Sequence, residues 1–204
     1  MSNPSCVAWG KCGLDYVKNP SHTNHIQQAV FKRQLTAAVA LNKPIIIHTR
    51  EADEDTLACI REVVPKDHHL HFHCFNSGPN FARSILEEYP NSFIGITGVV
   101  TYLGVPHVHD IIRSGQLPLE RILLETDSPH MVPRPVYAWL QREKPGLARK
   151  TFLISHAGMI PFTAERLMET LNEGRRSRGE TEVGLEEVLE ITRKNAARMY
   201  GIDV

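Results

Sequence analysis

The stretch "KPIIIHTREADEDTLACIREVV" (residues 43–64) holds one complete strand–helix unit, and its reading sets the fold class. Residues 43–49 read as a strand: after Lys43, three consecutive isoleucines and no charge before His48. Apolar residues at successive positions, rather than alternate ones, suit a strand covered on both faces, as in parallel sheets. Residues 53–64 read as a helix, with Asp53, Glu54 and Asp55 in its first turn, where the helix dipole favours acids.

The same alternation continues on both sides. Upstream, "VAWGKCGLDY" (7–16) has strand character. The segment 25–42 reads as a helix, with Ile26, Val30, Leu35, Val39 and Leu41 on one face. Downstream come strands at "LHFHCF" (70–75), "SFIGITG" (92–98) and "RILLETD" (121–127), separated by helices at 79–89 and 108–115. A proline-rich loop, "SPHMVPRPV" (128–136), follows. Two helical stretches come after it, around Leu147–Leu171 and Leu185–Tyr200, with "NEGRRSRGETEVG" (172–184) between them as an exposed loop. Five strand–helix alternations predict a parallel sheet, open to either a doubly wound fold or a (β/α)₈ barrel. No glycine-rich phosphate fingerprint follows the first strand, which leaves a dinucleotide fold little support.

Composition bounds the function. The 204 residues are 42% hydrophobic and 23% charged, with a formal net charge of +0, so any polyanion must be held by a local site rather than by bulk attraction. Four cysteines form no C-x-x-C pair, and no signal peptide or long apolar span is evident. The expectation is an intracellular protein, cytoplasmic or nuclear, with free thiols and no membrane contact.

Reactive groups gather at the carboxyl ends of four of the five strands: Lys11 and Asp15, His48 and Arg50, His73, then Glu125 and Asp127. Barrel enzymes place their chemistry at this face. Imidazole and carboxylate donors from separate strands suit a divalent metal. Each residue also has a plain reading. Asp127 in "ETDSP" fits ordinary turn chemistry. Arg50 either pairs with Asp53 or Glu54, or reaches a substrate phosphate. Lys11 is by default solvated or salt-bridged.

Taken together, "GKCGLDY", "KPIIIHTREADED", "HFHCFNSG", "LLETDSPHMVPR" and "TRKNAARMYGI" resemble, in order and spacing, the TatD-type metal-dependent nucleases, over nearly the whole chain. "READED", the "VP" before the His-rich strand and "VVTYL" resemble the animal TatD-domain proteins in particular. The resemblance implies a TIM-barrel-type (β/α)₈ fold of the amidohydrolase group, with residues 1–204 as a single domain. It also implies phosphodiester hydrolysis of DNA or RNA with one or two divalent cations (Mg, Mn or Zn). Its implied ligand set is His48, His73 and Asp127, with Asp127 also accepting a proton from the attacking water. On the nuclease hypothesis, Arg50 would orient a phosphate.

Two departures accompany the resemblance. The family opens with a His-x-His strand and two further strand–helix units. This chain starts at what would be the fourth strand, so about strands 4 to 8 are expected, with open edges through which copies could pair. Lys11 also stands where the family has a metal-bridging Glu. Lys11 reads either as a lost ligand, whose ammonium repels cations, or as a carbamylated bridge of the kind found in amidohydrolase relatives. The alternatives to a nuclease are a catalytically lapsed relative that acts by binding, another amidohydrolase chemistry, or, weakest, a redox role for the cysteines. In "HLHFHCFNSG" (69–78), His71 is expected to be hydrogen-bonded rather than ligating, and His69 to be exposed.

Overall fold

The structure, a computed structural model, describes residues 3, 5–18, 21–148 and 154–203. Five strands, β1 (Trp9–Asp15), β2 (Ile45–Arg50), β3 (Leu70–Phe72), β4 (Ser92–Ile96) and β5 (Ile122–Leu124), pair in parallel in the order β1-β2-β3-β4-β5. Between them lie α1 (Asn24–Ala40), α2 (Asp53–Val63), α3 (Pro79–Glu88) and α4 (Pro106–Arg113). Neighbouring helices touch in sequence, α1 on α2, α2 on α3 and α3 on α4, so they line one face of the sheet. Strand order that never reverses, with the crossover helices on one face, is the winding of a (β/α) barrel and not of a doubly wound sheet.

Strand register explains the two faces. Ile47, Phe72 and Ile94 stand in one cross-strand row, with Ile122 beside Ile94. All four are buried in the main core beneath the helices, with Leu35 and Ile60. The neighbouring row, Ile46, His71 and Phe93, points to the opposite face by the two-residue period of a strand. There Phe93 and Leu123 meet Met199 of the last helix, α8 (Leu185–Tyr200). The face away from the helix layer therefore carries both a small apolar cluster and the histidines.

Three sequence expectations need correction. In α1 the buried residues are Phe31, Leu35 and Ala38, while Ile26, Val30 and Leu41 are exposed. The face that meets β1 and α2 is the one bearing Phe31, and the aliphatic count alone misplaced it. The proline-rich run is not all loop: α5 (Arg134–Glu143) starts inside it, with Pro135 in the first turn, where its absent N–H costs no helical bond. A four-residue helix, α6 (Pro145–Ala148), follows, and residues 149–153 of the helix expected around Leu147–Leu171 lie outside the described residues. The long helix is α7, Ile160–Arg178, which runs through half of the stretch read as a loop. It can do so because Gly174 lies flat on α4, where a Cβ would fall 2.1 Å from the Arg113 carbonyl oxygen, and because Arg113 pairs with Glu173 at 2.6 Å.

Helix α8 is fastened at the amino end of β5. Asn195, only 3% exposed, donates through Nδ2 to the carbonyls of Leu119 and Ile122, both at 2.8 Å. Replacing it removes this donor from both carbonyls; Leu119 keeps a bond from the Ile122 N–H, while the Ile122 carbonyl loses its link to α8. Asn195→Ala is therefore expected to lose about 1–3 kcal/mol in urea unfolding, with Met199 and Tyr200 loosened from the sheet.

Candidate metal centre and its cleft

The carboxyl ends of the strands open into a cleft of about 770 Å³ whose walls include Lys11, His48, Arg50, His73 and Asp127. All the residues expected at the site thus share one cavity. Among the described residues, the compact group able to hold an ion is His73, Cys74 and Asp127, whose donor atoms lie within 4.8 Å of one another. His48 stands at one side, its ring centroid 6.4 Å from that of His73. Its Nδ1 is buried with no hydrogen-bond partner, and its Nε2 lies 3.6 Å from Asp15 Oδ2. Burial, and then the charge of Lys11, hold the His48 pKa below the ordinary histidine range, which favours the neutral, donor-competent ring.

Asp15 closes the turn after β1, its Oδ1 accepting from the backbone N–H groups of Val17 and Lys18. Burial pushes its pKa up, but these bonds, with His48 and Arg50 nearby, bring it below the usual carboxylate range. Arg50 is exposed at the cleft wall, free to meet a solute from that position.

The feature that orders the site is Glu125, directly after β5. Its Oε2 accepts from His73 Nδ1. Its Oε1 accepts from His71 Nε2 at 2.9 Å and from the Cys74 backbone N–H at 3.0 Å. Burial alone would raise the Glu125 pKa, but His71 and His73 outweigh it and hold the carboxylate ionised, well below its usual range. His71 Nδ1 in turn accepts from the Tyr200 hydroxyl at 2.6 Å. Burial and the Glu125 charge push the Tyr200 pKa upward, which keeps that hydroxyl a donor. Both nitrogens of His71 are thereby committed, and it is hydrogen-bonded, as the sequence predicts. His69 lies before β3 and is half-buried rather than exposed.

The tautomer of His73 follows from its partners. Nδ1–H faces Glu125, and Lys11, which can only donate, lies against Nε2, so the neutral ring presents its Nε2 lone pair to the cleft. There it meets Asp127 Oδ1 at 3.0 Å and Lys11 Nζ at 2.9 Å. Lys11 Nζ also donates to Asp127 Oδ1 at 3.3 Å. Cys74 lies against Thr97 Oγ1 at 3.3 Å, and burial pushes its thiol up to about 11, so it is protonated at neutral pH. The donors offered together to an ion are thus one imidazole and one carboxylate, with the His48 ring at the side of the group, and imidazole with carboxylate fits a divalent cation.

Backbone strain collects around these groups. Glu51, Cys74, Asp127 and Met131 all have positive φ without being glycine, and all follow the carboxyl ends of strands β2, β3 and β5. Sequence reading placed Glu125 at a strand end but gave it no role. The signal was its position two residues before Asp127, which puts both side chains on one face. Tyr200 lies 129 residues from His71, and no local pattern linked them.

Glu125 fits only because Gly95 opposes it. A Cβ on Gly95 would fall 1.5 Å from Glu125 Oε1 and 2.6 Å from His71 Nε2. Gly95→Ala is expected to cost about 1–3 kcal/mol or more by urea unfolding, because both displaced groups are buried and packed. Tyr200→Phe, which removes one hydrogen bond, is expected to cost about 1 kcal/mol. The Glu125 pKa is depressed in the folded chain, so its contribution is present above the unfolded carboxylate pKa, about 4.3, and is lost as pH falls below it. Acid unfolding of Glu125→Gln is expected to show a shallower pH dependence below about pH 4.5 than the parent chain.

Comparison with known proteins places this arrangement. The chain is 42% identical over 152 residues to the human 3'-5' RNA nuclease TATDN2, covering 74% of this chain and 20% of that protein. It is 33% identical over 197 residues to YcfH of Escherichia coli, an uncharacterized metal-dependent hydrolase, covering 97% of this chain and 63% of that protein. The chain therefore spans between a fifth and under two thirds of the length of these relatives. A TatD family hydrolase from Entamoeba histolytica superposes with a TM-score of 0.72 at 20% identity, covering 95% of this chain and 63% of that one. An uncharacterized amidohydrolase from Saccharomyces cerevisiae superposes with a TM-score of 0.70, also at 20% identity, covering 94% and 64%. These two likenesses establish the barrel-type fold. The TatD related DNase family profile matches residues 1–201, and the chain belongs to that family.

Proposed function

We propose that the chain hydrolyses phosphodiester bonds of nucleic acid, DNA or RNA, with a divalent metal ion. The observation that carries this reading is the pair His73 Nε2 and Asp127 Oδ1, 3.0 Å apart at the floor of a cleft that also holds Lys11, Lys18 and Arg50. A metal-dependent phosphodiesterase needs donors for a hard or borderline cation beside groups that attract phosphate, and the cleft supplies both. The human relative named as an RNA nuclease and the bacterial relative named as a metal-dependent hydrolase support the same reading.

His73 and Asp127 would hold the ion, with His48 as the further imidazole. The ion, when bound, supplies Lewis acidity toward a phosphoryl oxygen. Asp127 would also take a proton from the attacking water. Glu125 keeps His73 in the tautomer that turns Nε2 outward, and Arg50 orients a phosphate from the cleft wall. A second reading, a relative that binds without cleaving, is favoured by one observation: the Lys11 ammonium lies against both donor atoms.

Incubation of the purified chain with 5'-labelled single-stranded RNA and DNA and Mn²⁺ or Mg²⁺ separates the two. The nuclease reading expects cleavage that stops with EDTA and falls about 100-fold or more in His73→Ala and in Asp127→Asn, in line with loss of a main electrostatic contributor. Cleavage that survives both substitutions would defeat it, and metal-supported binding without cleavage would select the second reading.

A further inference from the structure

His73 Nε2 and Asp127 Oδ1 are both acceptors, yet they lie 3.0 Å apart. Two lone-pair atoms at that spacing need a cation between or beside them. Lys11 Nζ provides it, at 2.9 Å from the nitrogen and 3.3 Å from the oxygen. A divalent ion bound by the same two atoms would stand roughly 2.0–2.2 Å from each, against the ammonium as it now lies. An ammonium has three donors and no lone pair, so it cannot join the coordination shell. Two positive charges at such a distance in a partly enclosed cleft repel strongly. Lys11 and the ion therefore exclude one another.

Lys11 has somewhere to go. Its side chain is 43% exposed and sits at the cleft wall on β1, so withdrawal of its flexible stem uncovers little apolar surface. The histidine cannot turn away instead, because Glu125 fixes its other nitrogen. We infer that Lys11 is a tethered cation that closes the metal position of this chain, and that a divalent ion binds only by displacing it. The inference rests on the reading of His73 and Asp127 as metal donors. It makes the chain a weak metal binder by construction, through a residue that is not itself a ligand.

The test is a Mn²⁺ titration of the full chain, with free Mn²⁺ followed by electron paramagnetic resonance. Lys11→Met is expected to bind Mn²⁺ about 10-fold or more tightly than the parent, the size of effect seen when a group beside a metal ligand is changed. Lys11→Arg, which keeps the charge, is expected to stay close to the parent. The gain is expected to vanish when Asp127→Asn is added to Lys11→Met. In EDTA, Lys11→Met is expected to melt below the parent, because the two acceptors have lost their cation. Equal Mn²⁺ affinity for the parent and Lys11→Met would overturn the inference, as would a gain that persists without Asp127. Absence of Mn²⁺ binding in every variant would overturn the metal-centre reading itself, and this inference with it.

Discussion

One buried carboxylate organises the working face of this protein. Glu125 accepts hydrogen bonds from His71, from His73 and from the Cys74 backbone, so that groups on β3 and after β5 are locked to each other across β4. An ionised carboxylate is expensive to bury unless its lone pairs are filled, and here they are. The consequence runs outward. His73 is held in one tautomer, with Nε2 aimed at the cleft. Asp127, two residues after Glu125, is brought to the same point. The absence of a side chain at Gly95 is what lets the carboxylate lie flat on the sheet.

The barrel-type winding makes that arrangement possible. Parallel strands in unbroken order bring all their carboxyl ends to one edge, and the helix layer seals the opposite face. Polar side chains then have one direction left, toward the face closed at its lower end by Phe93, Leu123 and Met199. His71 lies between these zones. It takes a proton donor from Tyr200 below and offers one to Glu125 above, so the last helix is physically connected to the site.

Much of this was legible in the sequence. Continuous apolar strands alternating with helices announced a parallel sheet, and the strand-end positions of His48, His73 and Asp127 announced that they would line one cleft. Three things were hidden, for physical reasons. The buried face of α1 was misassigned because several faces carry aliphatic residues and only tertiary contact selects among them. Helix α7 continued through an arginine- and glycine-rich run because Gly174 meets α4, a contact between distant segments. The roles of Glu125 and Tyr200 depend on pairings across 54 and 129 residues, beyond the reach of any local period.

On the inference drawn above, His73 Nε2 and Asp127 Oδ1 form a cation site for which a divalent ion and Lys11 compete. A crystal structure of the chain at saturating Mn²⁺, with the ion located by anomalous scattering, tests it most directly. Competition for one site predicts an ion roughly 2.0–2.3 Å from both atoms, with Lys11 Nζ withdrawn into the cleft. An ion bound elsewhere, or Lys11 still seated between His73 and Asp127 at saturation, would contradict it.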